Sequence, residues 1–523
     1  MLPIPALWFL LGGFILFILS TALLFQKQSQ QKQKQPPPPP GPPGLPVVGH
    51  LHMLGELPHR SLETLSEKYG PIMSLRLGQV PTIVISSPEV AELCLKKHDT
   101  DFASRPRLEA SEYFSYGYKG MIFSEYSPYW RNMRKVCTLQ LLSASKVESF
   151  APLRKSELEK AVKTVEKAAE GGEVVNLSEV VHSVMEDVVY KMVLGCNKDD
   201  KFDLKGLIHE MLILGGKFNV TDFVPWLGPL DLQGLRRNFK KLSKKLDQVL
   251  EKIIKDHEHA SSNAHNNNNN QKQINKDFVD ILLSQMHQPI DPYDEQNHVI
   301  DRTNIKAIVL DMIAAAFDTS ATVILWALSE LLRHPRVMKK LQEELRNVVG
   351  MNKLVEEVDF PKLSYLDMVI KETLRLHPAG TFITRKSTKD TVIHDYYIKK
   401  SSEVLVNLWA IGRDPKVWSK NALEFYPERF LNKNVDVRGY DFELIPFGSG
   451  RRGCPGIQLG LVTVKLVVSQ FVHCFDWELP YGMSPNELDM SEKYGITVPR
   501  VKDLLAVPTS RPLEIWAQDG WNK

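Results

Sequence analysis

The sequence predicts a mainly α-helical fold with a smaller β region, and three observations lead to this class. The longest regular pattern runs from Thr303 to Arg333, is helix-compatible throughout and is stopped by His334-Pro335. Strand-like alternation is confined to short segments such as Pro81 to Ile85. Neither an internal repeat nor a second linker divides the chain after its proline-rich N-terminal part. We therefore expect one large body built around a long central helix.

Composition excludes several other classes of protein. The chain has 523 residues, 43% of them hydrophobic, and a net charge of only +3, so no overall field favours nucleic acid as a partner. Its five cysteines (Cys94, Cys137, Cys196, Cys454 and Cys474) are widely spaced and odd in number. This spacing argues against a disulfide framework or a structural zinc site and favours a reducing compartment.

The N-terminal segment has the pattern of a membrane anchor. Residues Leu2 to Phe25 carry no charge and are numerous enough to cross a bilayer as one helix. A cleaved signal peptide has its basic residues first, whereas here Lys27, Lys32 and Lys34 follow the apolar run. Lysines on that side predict that the rest of the chain stays in the cytosol. We expect residues 1–25 to form an uncleaved, single-pass anchor.

The next segment is expected to separate the anchor from the body. Residues 26–46 are basic and then proline-rich, and the run beginning at Pro36 predicts a stiff, extended hinge rather than a helix. A disordered linker is the alternative. We expect residues 47–523 to form a single domain.

Three features of the body locate its helices and loops. Helical periodicity covers 145–170 and 177–194, and Gly171-Gly172 separates the two stretches. The asparagine-rich segment 263–273 predicts a loop between helices. The histidines around it, His257, His259 and His265, are expected to be solvated rather than to hold a metal.

The segment from Pro446 to Gly456 has the pattern of a cofactor-binding loop. Its glycines allow tight turns and a close approach to a flat cofactor, and Arg452 offers a partner for a carboxylate. Pro455 opens an apolar helix predicted over 457–475, and a helix N-terminus favours a thiolate at Cys454. A single thiolate presented in this way suits an iron with one protein ligand.

The same segment also matches a dinucleotide-binding pattern. Residues Gly448 to Gly453 read G-x-G-x-x-G, but only about seventy residues follow, too few for the paired βαβ halves of that fold. Dinucleotide binding is therefore not expected here.

At this point the chain resembles the cytochrome P-450 superfamily. Its haem-binding pattern F-x-x-G-x-R-x-C-x-G is matched at every fixed position, by Phe447, Gly450, Arg452, Cys454 and Gly456. The resemblance implies that haem b is the cofactor, that Cys454 is the iron ligand and that the other four residues contact the cofactor. It also implies the P-450 fold, with haem between a long oxygen-side helix and the cysteine-bearing loop and helix.

Further motifs of the family occur in order, and the resemblance covers essentially the whole chain after the linker. Glu372 and Arg375 match E-x-x-R, and Arg429 in the downstream P-E-R-F segment is the implied third member of their charge network. Trp130 and Arg134 match W-x-x-x-R, which the resemblance places at a haem propionate. It implies a further propionate contact at Arg385.

The long helix carries the implied oxygen chemistry. Residues 315–320 align with a family pattern in which an acid precedes an alcohol, here Asp318 and Thr319. A hydroxyl can order water near bound oxygen while the carboxylate relays protons. The alternative is a polar kink in which Thr319 bonds back to a carbonyl. Ala316 departs from the pattern, which has glycine there, and its methyl narrows the groove.

By the same resemblance, the substrate pocket draws on four regions: 108–123, 310–317, 379–383 and 494–498. The predicted pocket is apolar and aromatic, which suits a terpenoid or phenolic scaffold, although such residues also fill cores. The predicted pocket residues are Tyr116, Phe123, Ile313, Ala314, Phe317, Phe382, Ile383 and Ile496.

The resemblance implies a membrane-bound monooxygenase that hydroxylates a small hydrophobic substrate with O2. The expected partners are an NADPH–cytochrome P-450 reductase, cytochrome b5 as a second electron donor, the substrate and membrane lipid, with no nucleic acid. The proline hinge and anchor are similar to those of the plant microsomal branch, which implies the endoplasmic reticulum membrane. The alternatives are a haem-thiolate isomerase or dehydratase that needs no external O2, and a non-catalytic, membrane-tethered haem-binding protein. Retention of Asp318 and Thr319 argues against both.

Overall fold

The computed structural model describes residues 36–195, 204–266, 276–290 and 298–513. The predicted anchor, the first ten residues of the hinge, Cys196 and most of the asparagine-rich segment lie outside these ranges. The fold class predicted from the sequence is confirmed: long helices make up most of the described chain, and the strands are short.

The helices are numbered in chain order. They are α1 Pro58–Tyr69, α2 Pro88–Glu92, α3 Glu109–Phe114, α4 Pro128–Val136, α5 Ala144–Ser149, α6 Ala151–Gly171, α7 Leu177–Leu194, α8 Leu204–Gly215, α9 Val220–Phe223, α10 Leu235–Asn266, α11 Phe278–Ser284, α12 Arg302–Arg333, α13 Pro335–Val349, α14 Ser364–Leu376, α15 Leu408–Ile411, α16 Pro415–Trp418 and α17 Ile457–Cys474.

The strands form small sheets beside the helices. They are β1 Ile72–Leu77, β2 Val80–Ile85, β3 Val175–Asn176, β4 Phe382–Lys386, β5 Thr391–Ile393, β6 Tyr396–Ile398, β7 Glu403–Asn407, β8 Phe475–Glu478 and β9 Leu505–Ser510. The largest sheet has the order β1-β2-β7-β4, in which β2 and β7 are parallel and the other neighbours antiparallel.

The observed helix ends follow the sequence signals closely. Helix α12 begins after Asp301, whose side chain caps Asn304 N, and it ends before Pro335. Gly172 ends α6 in the left-handed conformation, as the Gly171-Gly172 break predicted. The stretch predicted as one helix over 145–170 is two, because the chain turns at Phe150 and restarts with Pro152 in the first turn.

Helix α12 passes through the middle of the largest core cluster and packs against α7, α14 and α17. Both α12 and α17 are long and apolar enough to cross a membrane, but most of each is buried inside the protein. They are therefore read as core helices, with α12 supplying one wall of the site described below.

The described half of the proline segment lies along the sheets. The carbonyl oxygen of Pro40 accepts the Ser74 N–H at 2.8 Å, and that of Pro37 accepts the Tyr397 N–H at 2.9 Å. The ring of His50 donates to the Pro42 carbonyl at 2.8 Å. Residues 36–46 are thus held against β1 and β6 rather than hanging free.

Candidate functional site

A cavity of about 360 Å³ lies between α12 and the cysteine-bearing loop with α17. Most of the side chains that line it are apolar, and the polar ones include four arginines from the chain around the cysteine loop and the acid and hydroxyl groups of α12. Sequence reasoning placed a flat cofactor between these same two elements.

The cysteine loop is shaped by its own backbone. Gly448 and Gly450 have φ of +73° and +68°, in the left-handed region that favours glycine. The Cys454 N–H donates to the Phe447 carbonyl at 2.8 Å, which closes the loop just before α17. Phe447, Cys454 and Gly456 all line the cavity, so the loop brings the predicted sulfur ligand to its surface.

The Cys454 sulfur is open to the cavity and surrounded by protein on its other sides. Burial raises the pKa of its thiol, while the Gly456 N–H and the Arg134 cation act in the opposite direction. Both of these groups favour the thiolate, the form that binds a metal ion.

Gly450 has a structural part in the loop, and its predicted cofactor contact stays a prediction. It is absent from the residues that line the cavity, and a Cβ there would collide with the Leu95 carbonyl oxygen. The loop needs a glycine at this position because another segment of backbone passes directly beside it.

Four arginines, Arg105, Arg134, Arg385 and Arg452, line the cavity close enough to one another to interact electrostatically. None has a carboxylate partner among the described residues, and the Nε atoms of Arg105 and Arg385 are buried without a hydrogen-bond acceptor. Burial and the neighbouring guanidinium groups lower the pKa of Arg452 to about 9 and that of Arg105 to about 10.

Such a cluster of buried cations requires an anion that the protein itself does not supply. The two propionates of haem meet that requirement, and the open Cys454 sulfur meets the requirement for an iron ligand. The residues present therefore fit haem, with Arg134 and Arg385 as predicted contacts and Arg105 as one that the sequence reasoning missed.

Trp130 supports this cluster through its ring. The Arg452 guanidinium lies 3.9 Å and that of Arg134 5.7 Å from the ring centroid of the indole. The indole N–H of Trp130 donates to the Met121 carbonyl at 2.9 Å. Because the indole has one donor, which is already used, Trp130 orients two cations by cation–π contact in this structure.

The predicted charge network is present behind the site. Glu372 accepts bonds from Arg375 Nε at 2.7 Å and from Arg429 Nε at 2.8 Å, and the first pair is completely buried. Arg375 also donates to the carbonyl oxygens of Gly412 and Ala422, in the chain between α15 and the cysteine loop. The network therefore joins α14 to that part of the chain.

Asp318 and Thr319 face different partners. Thr319 lines the cavity, and its hydroxyl donates to the Ala315 carbonyl at 2.6 Å, the back-bond that the sequence left open as an alternative. The Asp318 carboxylate accepts a hydrogen bond from the Thr497 hydroxyl and is not among the lining residues. Ala316 also lines the cavity, so its methyl group does occupy the groove.

Of the predicted pocket residues, Phe382 and Ile383 line the cavity. Phe317 is absent from the lining, and its ring lies 6.1 Å from that of His182 on α7. Ile496 is 52% exposed and lies beside Gly216. Tyr116, Ile313, Ala314 and Phe123 are likewise absent from the lining.

Several lining residues were not singled out from the sequence. Asp311 is a lone acid in the apolar part of α12, and this isolation is the signal that would have found it. Helix α7 contributes Met185, Val188 and Met192, for which no local signal exists.

Comparison with known proteins agrees with this geometry. The family model described as Cytochrome P450 matches residues 39–507. The chain is 56% identical over 472 residues to "Cytochrome P450 CYP736A12" of Panax ginseng, covering 90% of this chain and 93% of that protein. It is 40% identical over 497 residues to "Cytochrome P450 71A21" of Arabidopsis thaliana, covering 95% and 97%.

The fold also matches a solved structure, described as "Zebra fish cytochrome P450 another structure with Abiraterone". The TM-score is 0.71 at 24% sequence identity, over 87% of this chain and 100% of the other. A family match spanning most of the sequence, together with relatives of this identity and coverage, makes this chain a member of the cytochrome P450 family.

Proposed function

We propose that this P450 monooxygenase hydroxylates a small hydrophobic plant metabolite, a terpenoid or a phenolic, at the endoplasmic reticulum membrane. Proteins of its family bind haem and use O2, with electrons that a reductase passes on from NADPH. The observation that carries the proposal is the Cys454 sulfur opening onto an apolar cavity that Thr319 faces from α12.

When bound, haem supplies the oxygen activation, and a thiolate ligand favours O–O cleavage. The protein's own residues hold the cofactor and control water. Cys454 would ligate the iron, and the arginine cluster would neutralise the propionates. The Thr319 hydroxyl donates to the Ala315 carbonyl and can accept a hydrogen bond from a water at the same time. Asp318, which precedes Thr319 in the chain and accepts a hydrogen bond from the Thr497 hydroxyl, is the proposed proton relay.

The chemistry of the lining supports the substrate class. Val188, Met192, Met312, Val323 and Phe382 give an apolar wall, whereas Thr319 and Ser320 are the hydroxyl groups on the α12 side. A substrate with a large apolar scaffold and few polar groups fits such a wall. The plant relatives are consistent with a specialised metabolite.

An exposed apolar surface supports membrane attachment beyond the predicted single-pass anchor. We call it the apolar cap; its residues are Val47, Val48, Phe218, Trp226, Leu230 and Leu232, each at least 40% exposed. Backbone hydrogen bonds from Gly78 to Val48 and from Gln79 to Phe223 connect its two parts. An exposed patch of this composition is typical of a surface that meets lipid.

The direct test incubates microsomes containing the full chain, a reductase and NADPH with a panel of terpenes and phenolics. We expect one or a few compounds to gain one oxygen atom, and only when NADPH and O2 are both supplied. Mass spectrometry detects this gain. Product formation without O2 would instead favour the isomerase or dehydratase class. Cytochrome b5 added to the same mixture tests the second electron donor.

The ligand assignment has its own matched pair of variants. Cys454→Ser is expected to abolish the thiolate position of the Soret band of the reduced carbon-monoxide complex. Cys474→Ser, at a buried cysteine near the end of α17, is expected to retain it. A thiolate band that survived in Cys454→Ser would contradict the assignment.

A further inference from the structure

Asp311 is the one carboxylic acid among the described residues that line the cavity. It is only 5% exposed, although it lies on an otherwise apolar stretch of α12. Its Oδ2 accepts two backbone N–H groups from a distant part of the chain, Met121 at 2.6 Å and Ile122 at 3.1 Å. A buried carboxylate used in this way fixes the backbone that it touches.

The segment that Asp311 holds, residues 120–124, has no regular secondary structure of its own. On its other side, the Met121 carbonyl accepts bonds from the Trp130 indole at 2.9 Å and from Arg452 at 3.4 Å. Hydrogen bonds therefore hold the segment between two partners, helix α12 on one side and Trp130 with Arg452 on the other.

The side chains carried by this segment face the reaction space. Met121 and Ile122 both line the cavity, on the same side as Asp311. Because their backbone has no helix or sheet bonds, their position depends on side-chain partners, and Asp311 on α12 is the acceptor for both of their N–H groups. Loss of that acceptor leaves two buried N–H groups unpaired, and the segment is expected to move to satisfy them.

Gly120 shows how closely the two parts meet. A Cβ on this residue would collide with Asp311 Oδ2, and its backbone has no positive φ that would exclude alanine. Gly120→Ala can therefore push the segment away from the carboxylate while the acid itself stays in place.

We propose that Asp311 is a positioning residue that sets the size of substrate admitted to the cavity by pinning Met121 and Ile122 over it. The inference rests on the proposed function, since it takes this cavity as the substrate site. Asp311 touches neither cofactor nor substrate in this role. It acts through the two residues whose amides it holds.

The test uses the haem-loaded full chain and two azoles that bind ferric iron through nitrogen: the small imidazole and the bulky clotrimazole. Spectral titration gives a Kd for each azole. The ratio of the two Kd values measures how strongly the cavity discriminates between a bulky and a small ligand. In Asp311→Ala we expect this ratio to change by about fivefold or more, the effect of roughly one lost hydrogen bond. Asp311→Asn, whose amide oxygen can accept both N–H groups, should keep the wild-type ratio.

Gly120→Ala should shift the ratio in the same direction as Asp311→Ala, which separates segment position from loss of the acid. Thr322→Ala is the matched control, because Thr322 is buried on the same helix and lies outside the cavity. The reduced carbon-monoxide band reports haem binding separately, so failure of the proposed function shows as its absence in the wild type. If Asp311→Ala binds no haem, the Kd ratio measured for Gly120→Ala decides whether the inference holds.

The inference is overturned if the Kd ratio is unchanged in both Gly120→Ala and Asp311→Ala. It is also overturned if the ratio is unchanged in Gly120→Ala and Asp311→Ala binds no haem. A ratio that shifts equally in Asp311→Asn and Asp311→Ala overturns it as well, since the effect then belongs to charge rather than to position.

Discussion

Thr319 illustrates how much of the proposed chemistry depends on single side chains. Its hydroxyl is bonded to the Ala315 carbonyl, one turn earlier on α12, yet it lines the cavity. A back-bonded hydroxyl keeps its lone pairs available, so the same atom can receive a hydrogen bond from water while it donates to the helix. The structural and catalytic interpretations of this residue are therefore compatible.

Thr319→Ala should uncouple electron use from product formation. Without the hydroxyl, water near the iron is no longer ordered, so we expect product per NADPH to fall by about tenfold or more and peroxide to rise. Thr319→Ser keeps the hydroxyl and should retain most of the coupling. Peroxide and NADPH assays on both variants measure this, and equal coupling in Thr319→Ala and wild type would contradict the role.

Asp311 predicts a pH dependence of stability. Burial raises the pKa of Asp311 to about 7 from an ordinary 3.8, against the two N–H bonds that favour its charged form. The folded protein therefore holds this proton more tightly than the unfolded chain, and the stability it contributes at low pH is lost as pH rises through about 7.

Asp311→Asn cannot lose a proton, so its apparent Tm relative to wild type should increase between about pH 5 and about pH 8. Loss of the reduced carbon-monoxide band after heating measures both proteins. A difference in Tm that stayed constant over this range would show that Asp311 does not titrate there.

At the scale of elements, the charge network ties α14 to the chain that leads into the cysteine loop. Glu372 and Arg375 are completely buried, and Arg429 nearly so. Removing the single carboxylate leaves two cations in the interior, which costs far more than loss of a surface pair.

Glu372→Ala should therefore destabilise the protein by about 3–5 kcal/mol and reduce its haem content. Urea unfolding and the reduced carbon-monoxide band give the two readouts. Glu92→Ala is the control, because Glu92 forms an exposed pair with Lys96 on one helical stretch. Comparable losses in both variants would show that burial of the network does not matter.

The elements also show what the sequence could and could not predict. Helix α12, the cysteine loop and the E-x-x-R pair follow from local spacing, and all are observed. Arg105 and Asp311 escaped because their partners are remote in the chain and meet them only after packing. Phe317 was predicted to line the pocket, but its ring packs near that of His182, a contact that local spacing does not reveal.

At the scale of the whole molecule, the apolar cap predicts lipid binding that does not need the predicted N-terminal anchor. A chain lacking residues 1–35 should still float with lipid vesicles, because Trp226, Leu230 and Leu232 expose apolar side chains together. Changing these three residues to serine in the shortened chain should release most of it into the soluble fraction.

The control for this experiment is Leu423→Ser, since Leu423 is 75% exposed but lies beside the charge network rather than in the cap. Its flotation should match that of the unchanged shortened chain. Equal flotation of the triple variant would show that the cap does not contact lipid.

The strapped proline segment has a mechanical consequence. Pro37 and Pro40 are hydrogen-bonded to β6 and β1. A force applied at residue 36 is therefore transmitted directly to the sheets. We propose that this attachment, together with the apolar cap, limits how far the body turns relative to the membrane.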